Sequence, residues 1–302
     1  VQLDAALVDL AVDAGVDVRL GHAVKSADAD QAGRAVVGIE GLGDIGADHV
    51  VAADGMWSAT RRALGVGPAG YLGEWHAFRQ YVGNVTGAAA DELLVWFEED
   101  LLPGYAWSFP LPAGRVNIGF GILRGGRHRT QDMKALWAGL LSRPHIATAL
   151  GPSARPEDRH LAWPIPARID KATLAHGPFL FTGDAAAATD VMTGEGIGQA
   201  LLTGRLAAAA ITAGGSPVEV GTRYTRAVRA ELVADHRMSV LLGRVLEHRR
   251  GANGAMAILA HSGNWGRRNF ARWMFEDEPR AVAVTPRRWH RRFLKRPGAY
   301  PR

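Results

Sequence analysis

With 302 residues, 47% hydrophobic and 22% charged, and a net charge of +5, the chain has ordinary globular composition and enough length for two domains or one large discontinuous one. The absence of cysteine excludes a disulfide scaffold and any thiolate metal site, and it suits a reducing, cytoplasmic setting. The opening VQLDAALVDLAVDAG carries Asp4, Asp9 and Asp13 and reads as no leader, while the apolar run 197–211 is interrupted by Gln199 and Arg205 and falls short of the about 20 residues a bilayer span needs.

Leu3, Leu7, Leu10 and Ala14 recur at helical spacing, and Gly15 follows as a stop, so residues 3–14 are expected to form an amphipathic helix. Val16, Val18 and Leu20 alternate with Asp17 and Arg19 and predict a strand. Residues 35–40 (AVVGIE) and 49–53 (HVVAA) predict two more, joined through Gly41, Gly43 and Gly46. Ser58 is placed to cap a short helix ending at Leu64 before Gly65. From Tyr71 to Phe120 the pattern turns to aromatic-rich alternation. Tyr105, Trp107 and Phe109 share one strand face, Pro112-Ala113-Gly114 makes a turn, and Val116, Ile118, Phe120 and Ile122 alternate on the return, which predicts an antiparallel sheet. A helix over 130–141, a buried strand over 179–182, a buried helix over 197–213 and helices over 222–248 and about 255–275 complete the reading.

Two segments match GxGxxG, at Gly41–Gly46 and Gly65–Gly70, but the first lies between strands and the second follows a helix and contains Pro68. A pyrophosphate site needs the glycines after a strand and opening a helix, so neither is expected to bind a dinucleotide. Two other blocks, 50–62 (VVAADGMWSATRR) and 179–204 (FLFTGDAAAATDVMTGEGIGQALLTG), each run from a strand through an aspartate-bearing turn into a helix. That order puts Asp54 and Asp184 at carboxyl ends of strands, where open α/β sheets bind ligands. Gly194 and Gly196 flank Glu195 without side chains to obstruct a flat ligand, and the helix starting near Ile197 offers its positive end. Read locally, Ser58 is also an ordinary cap, and Asp184 and Asp190 also balance a helix terminus. No HExxH, GxSxG or Walker A pattern is present, and the eleven histidines are scattered.

The two blocks together resemble the FAD-binding signature of the family containing geranylgeranyl reductases and related flavoprotein monooxygenases. Asp54, Gly55, Ser58 and Arg61 match its D-G-x-x-S-x-x-R, Gly183-Asp184-Ala185 its G-D-A, and Gly194-Glu195-Gly196-Ile197 its G-E-G-I loop. Residues 103–121 resemble the Y-x-W-x-F-P motif and the N-V-G-x-G strand of the geranylgeranyl reductase branch.

The resemblance implies an α/β fold, α+β overall. It would be a discontinuous three-layer FAD-binding domain (1–66 and 165–212), an antiparallel-sheet substrate domain (67–164) and a C-terminal helical region (213–302). The family's first βαβ unit, with its glycine loop and ribose-binding acid, is expected upstream of Val1. Asp184 would accept a ribityl hydroxyl. Gly194 to Ile197 would lie against the isoalloxazine, and Asp54, Gly55 and Arg61 would support the turn, with Arg61 meeting a carboxylate or a phosphate. Tyr105, Trp107 and Phe109 would line an apolar pocket; core packing of a sheet face is the alternative. Val191 and Ala187 stand where the family commonly has proline and glycine, which predicts a less rigid loop before Gly194.

The expected activity is hydride transfer from reduced flavin to a carbon–carbon double bond of a prenyl-type lipid, with NADPH as the candidate electron donor; the alternative is an FAD monooxygenase. A reading of another class makes the chain a non-catalytic remnant. Arg280, Arg287, Arg288, Arg291, Arg292, Lys295, Arg296 and Arg302, with no acid among them and Trp273, Phe275, Trp289 and Phe293 nearby, would then bind membrane or nucleic acid. For the enzyme, 280–302 is a candidate peripheral membrane contact, and no nucleic-acid partner is expected. Nothing in the sequence sets the oligomeric state.

Overall fold

The computed structural model describes residues 2–264 and Ala281. In chain order the elements are α1 (Gln2–Asp13), β1 (Val24–Ala29), β2 (Ala35–Ile39), β3 (Gly43–Ala47), β4 (Val50–Ala52), α2 (Ala59–Ala63), β5 (Trp75–Gly83), β6 (Leu94–Trp96), β7 (Ala106–Leu111), β8 (Arg115–Leu123), α3 (Met133–Leu141), α4 (Pro144–Leu150), β9 (Arg155–Pro156), β10 (Leu161–Ile165), β11 (Ala175–His176), β12 (Phe179–Phe181), α5 (Ile197–Thr212), α6 (Pro217–Leu246) and α7 (Arg249–His261). The result is a mixed α/β fold with antiparallel sheets and C-terminal helices.

Around one core, three layers meet. The antiparallel sheet β1-β2-β3 contributes Ala27, Ala35 and Val37, the sheet β11-β12-β4 contributes Ala52 and Phe179 to Phe181, and α5 and α6 contribute Ala207, Ala210, Val220, Tyr224 and Val228. Helix α6 starts on a capping box, Ser216 with Glu219, with Pro217 in its first turn where no N–H is needed. It docks through fully buried Tyr224, whose hydroxyl donates to the Phe181 carbonyl at 2.5 Å. A second core lies under the sheet β10-β5-β8-β7-β6, with β9 also pairing β5. On this inner face Phe78, Phe120 and Trp137 stack with centroids 5.5 to 6.1 Å apart, and α3 and α4 cover them. Each buried aromatic of this kind contributes roughly 1.5–3 kcal/mol.

Glu74 joins the two crossings between these regions. Its carboxylate accepts from Arg168 Nε at 2.6 Å, from Ala167 N at 2.7 Å and from the Tyr71 hydroxyl. The Arg168 guanidinium sits 3.7 Å over the Tyr71 ring.

Several expectations are corrected. Residues 16–20 form no strand, and Val16, Val18 and Leu20 are exposed. Alternation becomes a strand only beside a hydrogen-bonding neighbour, and among the described residues none lies there. The glycine-bearing link after Ile39 is not a plain connection: Gly43–Ala47 is β3, paired along its length with β2, and the unpredicted β1 pairs the other edge. Helix α5 buries only Thr203, Ala207 and Ala210, while Ile197 and Leu201 are exposed, because its small residues make a narrow contact stripe. The helix expected near 255–275 is α7, ending at His261. Trp273, Phe275, Trp289, Phe293 and the basic positions of the tail lie outside the described residues.

Candidate functional site

The two aspartate-bearing blocks meet because β4 and β12 pair in parallel, Val50 with Phe179 and Ala52 with Phe181. Their carboxyl ends therefore open side by side. Past β4 the chain turns at Gly55 (φ 75°), and Ser58 caps α2 by accepting from Arg61 N at 3.0 Å. Asp54 accepts from Thr60 N at 2.9 Å, so its carboxylate serves the same helix start. Among the described residues Arg61 donates to no carboxylate, unlike the partner the sequence suggested. Its Nη1 donates to the carbonyls of Thr173 (2.9 Å) and Ala185 (3.0 Å), and its guanidinium lies 4.5 Å from the Phe181 ring centroid. Burial lowers its pKa, and Asp54 opposes that shift. Arg61 thus stitches the first block to the turn of the second.

Beyond β12, Gly183 (φ 54°) donates its N–H to Thr203 Oγ1 at 2.9 Å, and a Cβ there would stand 3.2 Å from the Ala200 Cβ. Backbone and α5 approach too closely for a side chain. Half-buried Asp184 accepts from the Thr189 hydroxyl at 2.8 Å, and burial pushes its pKa up. Ala187 adopts φ 52°, a left-handed conformation that costs an L-residue roughly 1–2 kcal/mol, the conformation that a glycine at this position would take freely.

The segment 190–196 is organised by Asp190. Its Oδ1 accepts from Met192 N (3.0 Å), Thr193 N (2.8 Å) and Thr193 Oγ1 (2.9 Å). Its main chain pairs with Glu195 O at 2.8 Å and Gly194 N at 3.0 Å. The expected looseness of a loop without proline is therefore corrected: side-chain hydrogen bonds hold it instead. Gly194 has φ 70°, and a Cβ there would touch Ile165 Cδ1 at 3.6 Å; a Cβ on Gly196 would meet Thr189 Oγ1 at 3.3 Å and Asp184 Oδ1 at 3.7 Å. Glu195 caps α5 by accepting from Gly198 N at 2.7 Å. The N–H groups of Gly194 and Glu195 are used within the loop, and those of Gly196 and Ile197 have no protein acceptor among the described residues. Glycine backbone, two free N–H groups at a helix start and an acceptor carboxylate form a place for a flat, polar-edged ring with a hydroxylated chain.

The outer face of the six-stranded sheet comes up to this loop. Tyr105 and Trp107 lie with ring centroids 5.9 Å apart and Trp107 stacks on Phe109 at 6.1 Å. These three are half-buried, opposite the fully buried Ala106 and Ser108, so they belong to the face away from α3 and α4. The Tyr105 hydroxyl donates to the Thr193 carbonyl, which ties the sheet to the loop. Gly121, opposite Tyr105, has open space where its side chain would be, and Trp107 lies over Gly119.

The sequence placed Asp190 only as a balance for a helix terminus; its anchoring of the loop was missed, though visible in principle as an Asp with a Thr three residues on. It also passed over Glu74, which has no local signal. Among the described residues no group of His, Cys, Asp or Glu could hold a metal ion, and no helix is long and apolar enough to cross a membrane.

Residues 1–204 match a protein family described as an FAD binding domain. A menaquinone reductase of Mycolicibacterium smegmatis is 30% identical over 237 residues, covering 71% of this chain and 53% of the relative. Digeranylgeranylglycerophospholipid reductase 2 of Methanopyrus kandleri is 32% identical over 211 residues, 68% and 52% respectively. The chain thus spans about half the length of the curated relatives it matches. Among solved structures, a geranylgeranyl bacteriochlorophyll reductase-like protein from Thermoplasma acidophilum superposes with a TM-score of 0.73 at 19% identity, over 94% of this chain and 73% of that one. The flavin-dependent halogenase CmlS gives 0.64 at 20% identity, over 88% and 52%; both likenesses are of fold.

Proposed function

The chain belongs to the FAD-binding domain family, within FAD-dependent oxidoreductases, and from that premise we propose that it serves a reductase of carbon–carbon double bonds in a prenyl-type lipid. The observation that carries this reading is the seating of the glycine loop 190–196 on an aromatic sheet face through Tyr105 and Ile165. When bound, reduced FAD supplies a hydride, and a proton from solvent completes the saturation.

The residues present fit the flavin end of the cofactor. Asp184 would accept a ribityl hydroxyl, and Gly194 and Gly196 would admit the ring. The N–H groups of Gly196 and Ile197 would face its negative edge; Glu195 holds the helix start, and Gly183 sets the approach of α5. Asp54, Gly55 and Arg61 would support the turn from behind. Neither glycine pattern fits the pyrophosphate, since Gly43–Gly46 lies in β3 and Gly65–Gly70 follows α2. Tyr105, Trp107 and Phe109 would line the path of an apolar chain and keep water from the ring. In this reading 1–66 with 165–212 hold FAD, 67–164 hold the lipid, 213–302 back the loop and lend a basic contact for a membrane, and NADPH supplies the electrons. That prenyl-lipid and quinone reductases are the relatives named above favours reduction over oxygenation.

The test is to load the full-length protein with FAD, monitor the flavin band near about 450 nm, and weigh the product from a geranylgeranyl lipid under a reductant. A gain of two hydrogens is expected. A gain of one oxygen would establish a monooxygenase instead, and failure to bind flavin would end the oxidoreductase reading.

A further inference from the structure

The outer face of the six-stranded sheet changes character along its strands. Beside the glycine loop its rows are apolar: Ile165, Trp75 and Leu123 in one, Trp163, Ala77 and Gly121 in the next. Farther along, Arg79 stands opposite Gly119, whose other neighbour is Trp107, and Asn117 stands between Tyr81 and Phe109. Directly paired residues share a face, so Arg79 and Asn117 lie on the same surface as the aromatic row. Arg79 Nη1 and Asn117 Oδ1 are both buried and have no hydrogen-bond partner among the described residues.

The guanidinium of Arg79 has only the Tyr81 ring, 5.0 Å from its centroid, and among the described residues it makes no ion pair. Acids on the adjoining edge are engaged elsewhere: Glu157 holds Arg115 at 2.6 to 2.8 Å, and Asp158 accepts from Tyr81 N at 3.3 Å. A half-buried cation with one buried, unmet donor is held at a cost, and a partner that arrives with the ligand removes it.

We propose that Arg79, with Asn117 beside it, receives the phosphate-bearing head of a prenyl substrate whose chain runs across Trp107 and over Gly121 toward the loop at Gly194. This rests on the prenyl-lipid reading above and adds to it a polar end. The rows of Arg79 and of Asn117 lie two and four residues from the row of Tyr105, roughly 7 and 13 Å, so the head is held away from the flavin and the reacting bond lies inside the chain. A guanidinium offers phosphate two parallel donors, and the Asn117 amide presents either oxygen or NH2 by a half-turn. A quinone or alcohol head would leave the charge of Arg79 uncompensated.

Tryptophan-fluorescence quenching of the full-length protein measures this without turnover. Geranylgeranyl diphosphate, geranylgeraniol and a digeranylgeranyl glycerophospholipid in neutral micelles are titrated into wild type, Arg79→Gln and Arg79→Lys. Wild type is expected to prefer a phosphate ester over the alcohol by about tenfold to a hundredfold; which ester binds tighter identifies the head. Arg79→Gln should abolish the preference and leave alcohol binding unchanged, while Arg79→Lys restores part of it. Equal binding of esters and alcohol by wild type overturns the head site and leaves the prenyl reading standing. Binding of no prenyl compound overturns both. Should Arg79→Gln lose its circular dichroism, Asn117→Ser, expected to weaken ester binding alone, decides.

Discussion

Replacement of Asp190 by alanine tests whether the loop before α5 is held in advance for its ligand. The side chain is 8% exposed and one oxygen takes three donors from Met192 and Thr193. Hydrogen bonds to an ionised acceptor are worth about 1.5–3 kcal/mol each, but Met192 and Thr193 are half-exposed and water would recover part of that. The expected cost is therefore about 3–5 kcal/mol, confined to 190–196 as local opening. If FAD must reorder the loop, its affinity should fall by about two orders of magnitude or more. Asp190→Asn, which keeps the acceptor oxygen but not its charge, should lose about tenfold. Flavin-fluorescence titration of the full-length protein measures the affinities, and hydrogen exchange at residues 191–196 reports the opening. Wild-type affinity in Asp190→Ala would refute the claim that this loop holds the flavin.

Two further predictions concern pH. Burial raises the pKa of Asp184 above its ordinary 3.8, so the folded state keeps that proton to higher pH than the unfolded state. Stability is then lost as pH rises from about 4 through the raised value. Asp184→Asn should be more stable than wild type without flavin at pH 7 and not at pH 4, by urea midpoints, while binding FAD more weakly; a less stable variant at pH 7 would refute this. His236, buried on α6 with Nε2 3.1 Å from Asp170 Oδ1 and Nδ1 unpartnered, has its pKa lowered by burial, against the attraction of Asp170, Asp190 and Glu74 and with Lys171 adding to the shift. The unfolded state therefore takes up protons first, and stability falls as pH drops below about 6.5. His236→Gln should flatten the wild-type decline between about pH 7 and 5; an unchanged slope would show that the decline lies elsewhere.

The parts of the fold that the sequence made legible are those with dense local periodicity. The alternation at Val116, Ile118, Phe120 and Ile122 put four residues in the core under the sheet, all at most 2% exposed. The same alternation places Asn117, Gly119 and Gly121 on the outer face with Tyr105, Trp107 and Phe109. The cap at Ser58 and the stop at Gly65 followed from short-range chemistry and are present. Residues 16–20 failed for the complementary reason: a period of two states which faces a strand would have and says nothing of whether a neighbour exists to bond it.

The site shows the same limit. Arg61 was readable as a cation near a ligand turn, yet its work is done on carbonyls 112 and 124 residues away. Tyr105 reaches Thr193 across 88 residues, and Glu74 reaches Arg168 across 94. Such contacts leave no trace in spacing, because neither partner constrains the residue types next to the other. They share a function in the structure: each fastens one of the two chain crossings or one of the two aspartate-bearing turns to a distant segment. The loop at 190–196 consequently has support on three sides, from Asp190 within, from Ser239 on α6 at 3.5 Å, and from Tyr105 on the sheet. The loop at Gly194 and Gly196 is thereby fastened beside Gly121, where a side chain would meet open space. The loop's position relative to the sheet is then set by the protein's own contacts before any ligand arrives.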